Sequence, residues 1–155
     1  MRNFSTLAAS FRMQIAKQWS IRCGLSPALA IEQVVNEAVS VGLLNEPRML
    51  PGNTFTDWAS TGKSPAWAAQ AMLNLLLKSG WVPRTESEWA GVAAIQVRSG
   101  KSLPEEGYVE KLCALSPALD RLTAAGWIHA ALLENEIFVY EKTRELSTKN
   151  FDSFK

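Results

Sequence analysis

The sequence contains few of the residues that build metal centres or disulfide frameworks. Its 155 residues include two cysteines, Cys23 and Cys113, and one histidine, His129. Four such ligands usually surround a structural zinc ion, and a single possible cysteine pair does not make a disulfide scaffold. We therefore expect reduced thiols, no metal site, no cofactor and a cytoplasmic location.

Long apolar runs and a strong net charge are also missing. The longest stretch without a charged residue covers residues 64–77. It is shorter than the roughly 20 residues that cross a bilayer, so we predict no membrane span and no membrane partner. The formal net charge is only +1, which argues against a protein that coats nucleic acid.

The first 31 residues nevertheless carry basic side chains and no acidic one. Such a start is also typical of a mitochondrial transit peptide. An apolar side chain recurs at every fourth position and predicts an amphipathic helix over residues 6–21. This stripe comprises Leu7, Phe11, Ile15 and Trp19. We expect it to pack against the second helix or across a homodimer interface, with Arg12, Lys17 and Arg22 exposed.

Three copies of Ser-Pro-Ala are each followed by a helix-length stretch and a glycine, over residues 26–42, 64–80 and 116–126. Serine is a preferred N-cap, proline is tolerated in the first turn, and glycine can adopt the left-handed conformation after the last turn. The pattern predicts three capped helices, with Gly80 and Gly126 at positive φ. The copies can reflect a duplication or independent helix caps.

Further helices are predicted over residues 55–60, 86–98 and 105–113, and the helix over residues 65–78 should be heavily buried. After Gly126 the sequence is typical of paired strands, which predicts a β-hairpin within residues 127–142. The predicted fold is therefore mainly α with a C-terminal hairpin.

No set of residues has the spacing of a catalytic site. The segment Thr61-Gly62-Lys63-Ser64 lacks the upstream glycine of a phosphate-binding loop, because position 57 is Asp. Glu105 and Glu106 are adjacent, so their side chains diverge on a helix and do not form an acid–base pair. We predict that the protein is not an enzyme.

The order of three helices and a hairpin after residue 85 resembles a winged-helix domain. In that family the third helix enters the DNA major groove and the hairpin contacts the backbone. Residues 115–122 correspond to the part that DNA would contact. The resemblance implies a helix-turn-helix-like bundle with a C-terminal β-hairpin.

Residues 57–66 resemble a helix-turn-helix in the first half of the chain. Gly62 corresponds to the turn glycine, Lys63 to a phosphate contact and Ser64 to the cap. Trp58 stands where the motif has a small residue. The overlapping residues 58–67 are similar to the minor-groove motif of histone-like nucleoid-structuring proteins, with Lys63 in place of the arginine.

These resemblances divide the chain into a helix-turn-helix-like half (1–84), a winged-helix-like half (85–142) and a polar tail (143–155). They imply a small DNA-binding or transcription-associated regulator. The side chains expected to contact nucleic acid are Lys63, Ser64, Gln70, Arg84, Arg121 and His129. The near-neutral charge and the apolar helices leave a second hypothesis open, a non-catalytic adaptor or inhibitor that binds a protein partner or a second copy of itself.

Overall fold

The computed structural model describes the backbone of residues 3–98 and 103–152 and the side chains of residues 3–98, 103–136 and 144, and in these ranges the chain forms seven α-helices. They are α1 (Phe4–Cys23), α2 (Pro27–Ser40), α3 (Gly52–Thr61), α4 (Ala66–Lys78), α5 (Glu86–Arg98), α6 (Glu105–Cys113) and α7 (Arg121–Asp152). The described residues contain no strand. The prediction of a mainly α protein is confirmed, and the prediction of a C-terminal β-hairpin is wrong.

Helix α1 lies at the centre of the fold. It begins after Asn3, whose side chain accepts the Ser5 N–H, and ends before Gly24, which is left-handed. Its buried residues are Leu7, Ala8, Phe11, Ile15, Ala16 and Trp19. The predicted stripe is therefore buried, but α1 packs chiefly against α5, α3 and α4 and has only a minor contact with α2.

The remaining helices surround α1 in two groups. Helix α2 packs against α3 and α4, and α7 packs against α5 and α6. One cluster of buried side chains extends from Phe11 to Ala131, so both predicted halves contribute to the same core.

Lys17 and Arg22 are exposed as expected, whereas Arg12 is half-buried.

Helix α4 is heavily buried, as its composition predicts. Its fully buried residues are Ala68, Ala69, Ala71, Met72, Leu73 and Leu76. At its C-terminal end Lys78 Nζ donates to both carboxylate oxygens of Glu37, at 2.6 and 2.7 Å. Because the Glu37 side chain is only 7% exposed, this ion pair supplies the partner that a buried charge requires.

The Ser-Pro-Ala pattern predicts the helix ends only in part. Ser26 caps α2 by accepting the Leu29 N–H at 3.4 Å. Helix α4 begins one residue later in its copy, after the N-cap Pro65, and has no side-chain cap, and the Ser64 hydroxyl accepts a hydrogen bond from Arg12. The third copy forms a turn at residues 117–119 rather than a helix start.

Asp120 begins the helix that replaces the predicted hairpin. Its carboxylate accepts hydrogen bonds from the Thr123 N–H and hydroxyl, each at 2.8 Å, and these bonds lower the pKa of Asp120. The residues that follow bury one face at helical spacing, through Ala124, Ile128 and Ala131. Apolar residues spaced by four and then three positions are typical of one buried helix face. Burial of this face outweighs the strand preference of the β-branched residues that follow Gly126.

The two glycines predicted at positive φ differ. Gly80 follows α4 with φ of 90°, which confirms the prediction there. Gly126 lies inside α7 and does not have positive φ, so the prediction is wrong at this position. A helix accepts an exposed glycine at a modest cost in free energy, and it need not end there.

Candidate functional site

A cavity of about 540 Å³ opens between α1, α4 and α5. Leu43 from the α2–α3 connection and Glu134 from α7 complete its lining. We call it the arginine cavity, because Arg12 and Arg98 both line it. Its volume is in the range of small-molecule pockets in proteins.

Small side chains create this space. The lining residues with no side-chain atom beyond Cβ are Ala8, Ala9, Ala66, Ala69, Gly91 and Ala94. Alanine is the strongest helix former, so these positions favour the helices while leaving the space between them unfilled. Larger apolar surfaces come from Trp67, Ile95 and Leu43.

Arg12 is a half-buried cation without an acidic partner. Its Nη1 donates to the Ser64 hydroxyl at 3.0 Å and its Nη2 to the Ser64 carbonyl at 2.7 Å. Among the side chains that the structure describes, it has no other hydrogen-bond partner and no acidic partner. Burial lowers the pKa of Arg12, and the positive charge of Arg98 lowers it further. Since a guanidinium stays protonated in proteins, its charge remains uncompensated.

Arg22 shows by comparison what is unusual about Arg12. Arg22 Nε donates to the Ser79 hydroxyl at 3.1 Å and Nη2 to the Ser79 carbonyl at 2.8 Å, which is the same bonding pattern. Ser79 ends α4, where the helix dipole is negative and a cation is favourable. Arg12 lies beside the other end of α4, where the dipole is positive. The electrostatic environment of Arg12 therefore favours an anion nearby.

Arg98 and Glu134 form an ion pair at the edge of the arginine cavity. Arg98 Nη2 lies 3.3 Å from Glu134 Oε1, and the Ser5 hydroxyl donates to Glu134 Oε2 at 2.6 Å. The side chain of Arg98 is 45% exposed and that of Glu134 is 22% exposed. These contacts join the beginning of α1, the end of α5 and the middle of α7.

Three residues predicted to bind nucleic acid lie around the start of α4. Lys63 is exposed, and its N–H donates to the Thr61 hydroxyl at 3.2 Å. Ser64 holds Arg12, as described above. Gln70 lines the arginine cavity and donates to Asn74 Oδ1 at 3.1 Å. Of the three, Gln70 lines the arginine cavity, Ser64 contacts the lining residue Arg12, and Lys63 lies outside the lining.

The other three predicted residues lie elsewhere. Arg84 is exposed and lines a smaller cavity, of about 170 Å³, which Arg22 also lines. Arg121 forms an ion pair with Glu106, and His129 Nδ1 lies 3.5 Å from Glu105 Oε1. Arg121 and His129 therefore face the acidic first turn of α6.

DNA binding stays a prediction. Helix α4, which follows the predicted turn, exposes only Ala66 and Lys78 along its length. A gel-shift titration with duplex DNA at about 50 mM salt tests the hypothesis, because lysine and arginine contacts to phosphate weaken as salt rises. A salt-sensitive shift that Lys63→Ala reduces supports it, and the absence of any shift contradicts it.

Sequence reasoning did not select Arg12, Arg98 or Glu134 as site residues. For Arg12 a local signal existed, since Ala8 and Ala16 lie four positions on either side of it and are both buried. An arginine between small residues on one helix face points toward a neighbouring helix. Arg98 and Glu134 are brought together by the packing of α7 on α5. The hairpin prediction placed strands at residues 127–142 instead of this helix, so it did not predict the contact.

No protein-family model matches the chain, and comparison with curated proteins and with solved structures finds no match. None of the helices in the described residues has the length and hydrophobicity needed to cross a membrane. Nor do those residues group three or more His, Cys, Asp or Glu side chains in a way that could hold a metal ion.

Proposed function

We propose that the protein binds a small organic anion in the arginine cavity, with the charged group at Arg12 and an apolar body along the helices. The observation that carries this proposal is the half-buried guanidinium of Arg12, which has no acidic partner among the described residues. A charge withdrawn from water is costly unless it is paired. A bound carboxylate or phosphate supplies that pair.

Arg12 retains the donors that such a ligand needs. A guanidinium has five N–H groups, and Ser64 accepts only two of them. Ser64 also fixes the orientation of the arginine, because it is bonded through both its hydroxyl and its carbonyl. A preoriented guanidinium binds a carboxylate through two parallel hydrogen bonds, which are stronger than neutral ones.

The beginning of α4 adds to the positive potential of the arginine cavity. Ala66 and Trp67 belong to its first turn and line the cavity. The first N–H groups of a helix have no partner within the helix, and α4 has no side-chain cap. The helix dipole therefore favours an anion on this side, together with Arg12 and Arg98.

The rest of the arginine cavity suits an apolar body. Trp67 and Ile95 present large apolar surfaces, and the alanine residues leave room beside them. A pocket that is mostly apolar with a few converging polar groups is the usual form of a small-molecule site. The ligand class that fits both parts is an organic acid with a ring or a branched hydrocarbon.

Naphthalene-2-carboxylate and the neutral 2-naphthamide form a matched pair of probes for this site. We expect the wild-type protein to bind the acid more tightly than the amide in a calorimetric titration. Arg12→Gln should weaken binding of the acid by about ten- to hundredfold, since hydrogen bonds to a charged group are among the strongest in proteins. Binding of the amide should change much less.

Arg22→Gln is the matched control for this variant. It removes the same pair of hydrogen bonds, to Ser79 at the opposite end of α4, and Arg22 does not line the arginine cavity. Its affinity for the acid should equal that of the wild type. A protein that binds acid and amide equally, or binds neither, contradicts the proposed function, as does equal weakening by the two variants.

A further inference from the structure

We infer that Glu134 restricts the arginine cavity to ligands with a single negative charge and disfavours dianions such as phosphate monoesters and dicarboxylates. This inference rests on the proposed function and concerns the specificity of the same site. Glu134 lines the arginine cavity from α7 and is hydrogen-bonded to Ser5 of α1, the acid-free helix that carries Arg12. It is the one acidic residue in the described lining of the cavity.

The charges of the arginine cavity are partly compensated within the protein. Arg98 is paired with Glu134, whereas Arg12 has no acidic partner among the described residues. One positive charge therefore remains for a ligand. A monoanion neutralises it. A dianion brings a second negative charge into a partly enclosed cavity that already contains the Glu134 carboxylate, where like charges repel more strongly than in bulk water.

Glu134 is held where it is by two other helices. The Ser5 hydroxyl at the beginning of α1 donates to one carboxylate oxygen at 2.6 Å, and Arg98 at the end of α5 contacts the other at 3.3 Å. A ligand with two negative charges has to break these contacts before Glu134 can move away. A fixed like charge that repels the wrong ligand is a common source of specificity.

The Glu134 carboxylate is enclosed enough to repel a second negative charge on a ligand. At 22% exposure the Glu134 side chain is far more enclosed than Glu136, which is exposed on the same helix. Enclosure reduces the screening of its charge by water and salt. Repulsion from Glu134 should therefore persist at physiological ionic strength, whereas that from an exposed acid is largely lost.

Naphthalene-2-carboxylate and naphthalene-2,6-dicarboxylate share one ring body and differ by one carboxylate, so the ratio of their affinities measures the discrimination. We expect the wild-type protein to bind the monoanion at least about tenfold more tightly than the dianion. Glu134→Gln, which retains an oxygen acceptor for Ser5, should raise the relative affinity for the dianion by about tenfold or more.

Glu136→Gln serves as the matched control, because it removes the same charge from an exposed position of α7 outside the arginine cavity. Its affinity ratio should equal that of the wild type. The ratio in the wild type tests the inference even if Glu134→Gln does not fold. Circular dichroism establishes whether each variant is folded before titration.

The outcomes separate the inference from the proposed function. A wild type that binds monoanion and dianion equally, or a folded Glu134→Gln variant with an unchanged ratio, overturns the role of Glu134. If Arg12→Gln still weakens both acids in that case, the proposed function stands. If neither acid binds better than the amide, both proposals are overturned.

Discussion

Removal of residues 1–24 is expected to abolish folding. These residues contain α1, whose six buried side chains lie in the core between α5, α3 and α4. Burial of one large apolar side chain contributes about 1.5–3 kcal/mol, and the whole free energy of unfolding of a typical domain is about 5–15 kcal/mol. The truncated protein should lose cooperative thermal unfolding, as measured by circular dichroism, and aggregate through the uncovered core.

Single substitutions on α1 provide a matched control for the deletion. Ile15 is fully buried and Ile21 is 77% exposed on the same helix. Ile15→Ala should lower the free energy of unfolding by about 2–5 kcal/mol, whereas Ile21→Ala should change it by about 0.5 kcal/mol or less. A truncated protein that unfolds cooperatively and retains the helix content of α2–α7 would show that α1 is a detachable arm.

The burial of α1 could be predicted from the sequence, but its position could not. Residues that recur at every fourth position mark one apolar face, and all four predicted members of the stripe are buried. Ala8 and Ala16 widen this face, yet alanine is common on exposed helix faces as well. A helix with large residues on one side and alanines beside them contacts several neighbours. The spacing of the large residues alone does not identify those neighbours.

The C-terminal part shows where local helix signals fail. Ser116-Pro117-Ala118 has the same residues as the cap of α2, but the carboxylate of Asp120 caps α7 instead. Gly126 looks like a helix end, although its backbone is helical and lies inside α7. The structure there depends on tertiary packing, because α7 buries Ala124 and Ile128 and packs against α5 and α6.

The arginine cavity was not predictable from motifs, because no contiguous segment contains it. Its lining comes from α1, α4, α5, α7 and the α2–α3 connection, and six of the fourteen described lining positions are alanine or glycine. Small residues indicate close helix packing at one position and empty space at another, depending on what the opposite helix presents. The unpaired charge of Arg12 could be recognised only after the absence of a nearby acid among the described residues was known.

Gly91→Ala is expected to destabilise the protein, although alanine normally stabilises a helix relative to glycine. A Cβ atom at position 91 would lie 2.2 Å from Cδ1 of Phe11 and 2.5 Å from its Cβ. Phe11 is 2% exposed and stacks on Trp81 with a centroid distance of 5.8 Å, so its ring has little room to move. Overpacking of a core costs about 1–3 kcal/mol and exceeds the roughly 0.5–1 kcal/mol that helix propensity contributes.

Gly126→Ala measures the effect of helix propensity alone, because no atom lies within 4 Å of a Cβ at that position in α7. It should raise the free energy of unfolding by about 0.5–1 kcal/mol in urea denaturation, opposite in sign to Gly91→Ala. The clash at Gly91 involves both the ring and the Cβ of Phe11, and Phe11→Ala removes only the ring atoms, so Gly91→Ala should cost less, but still destabilise, in a Phe11→Ala background. A Gly91→Ala variant that is as stable as the wild type or more stable would show that α1 and α5 do not approach each other closely at this glycine.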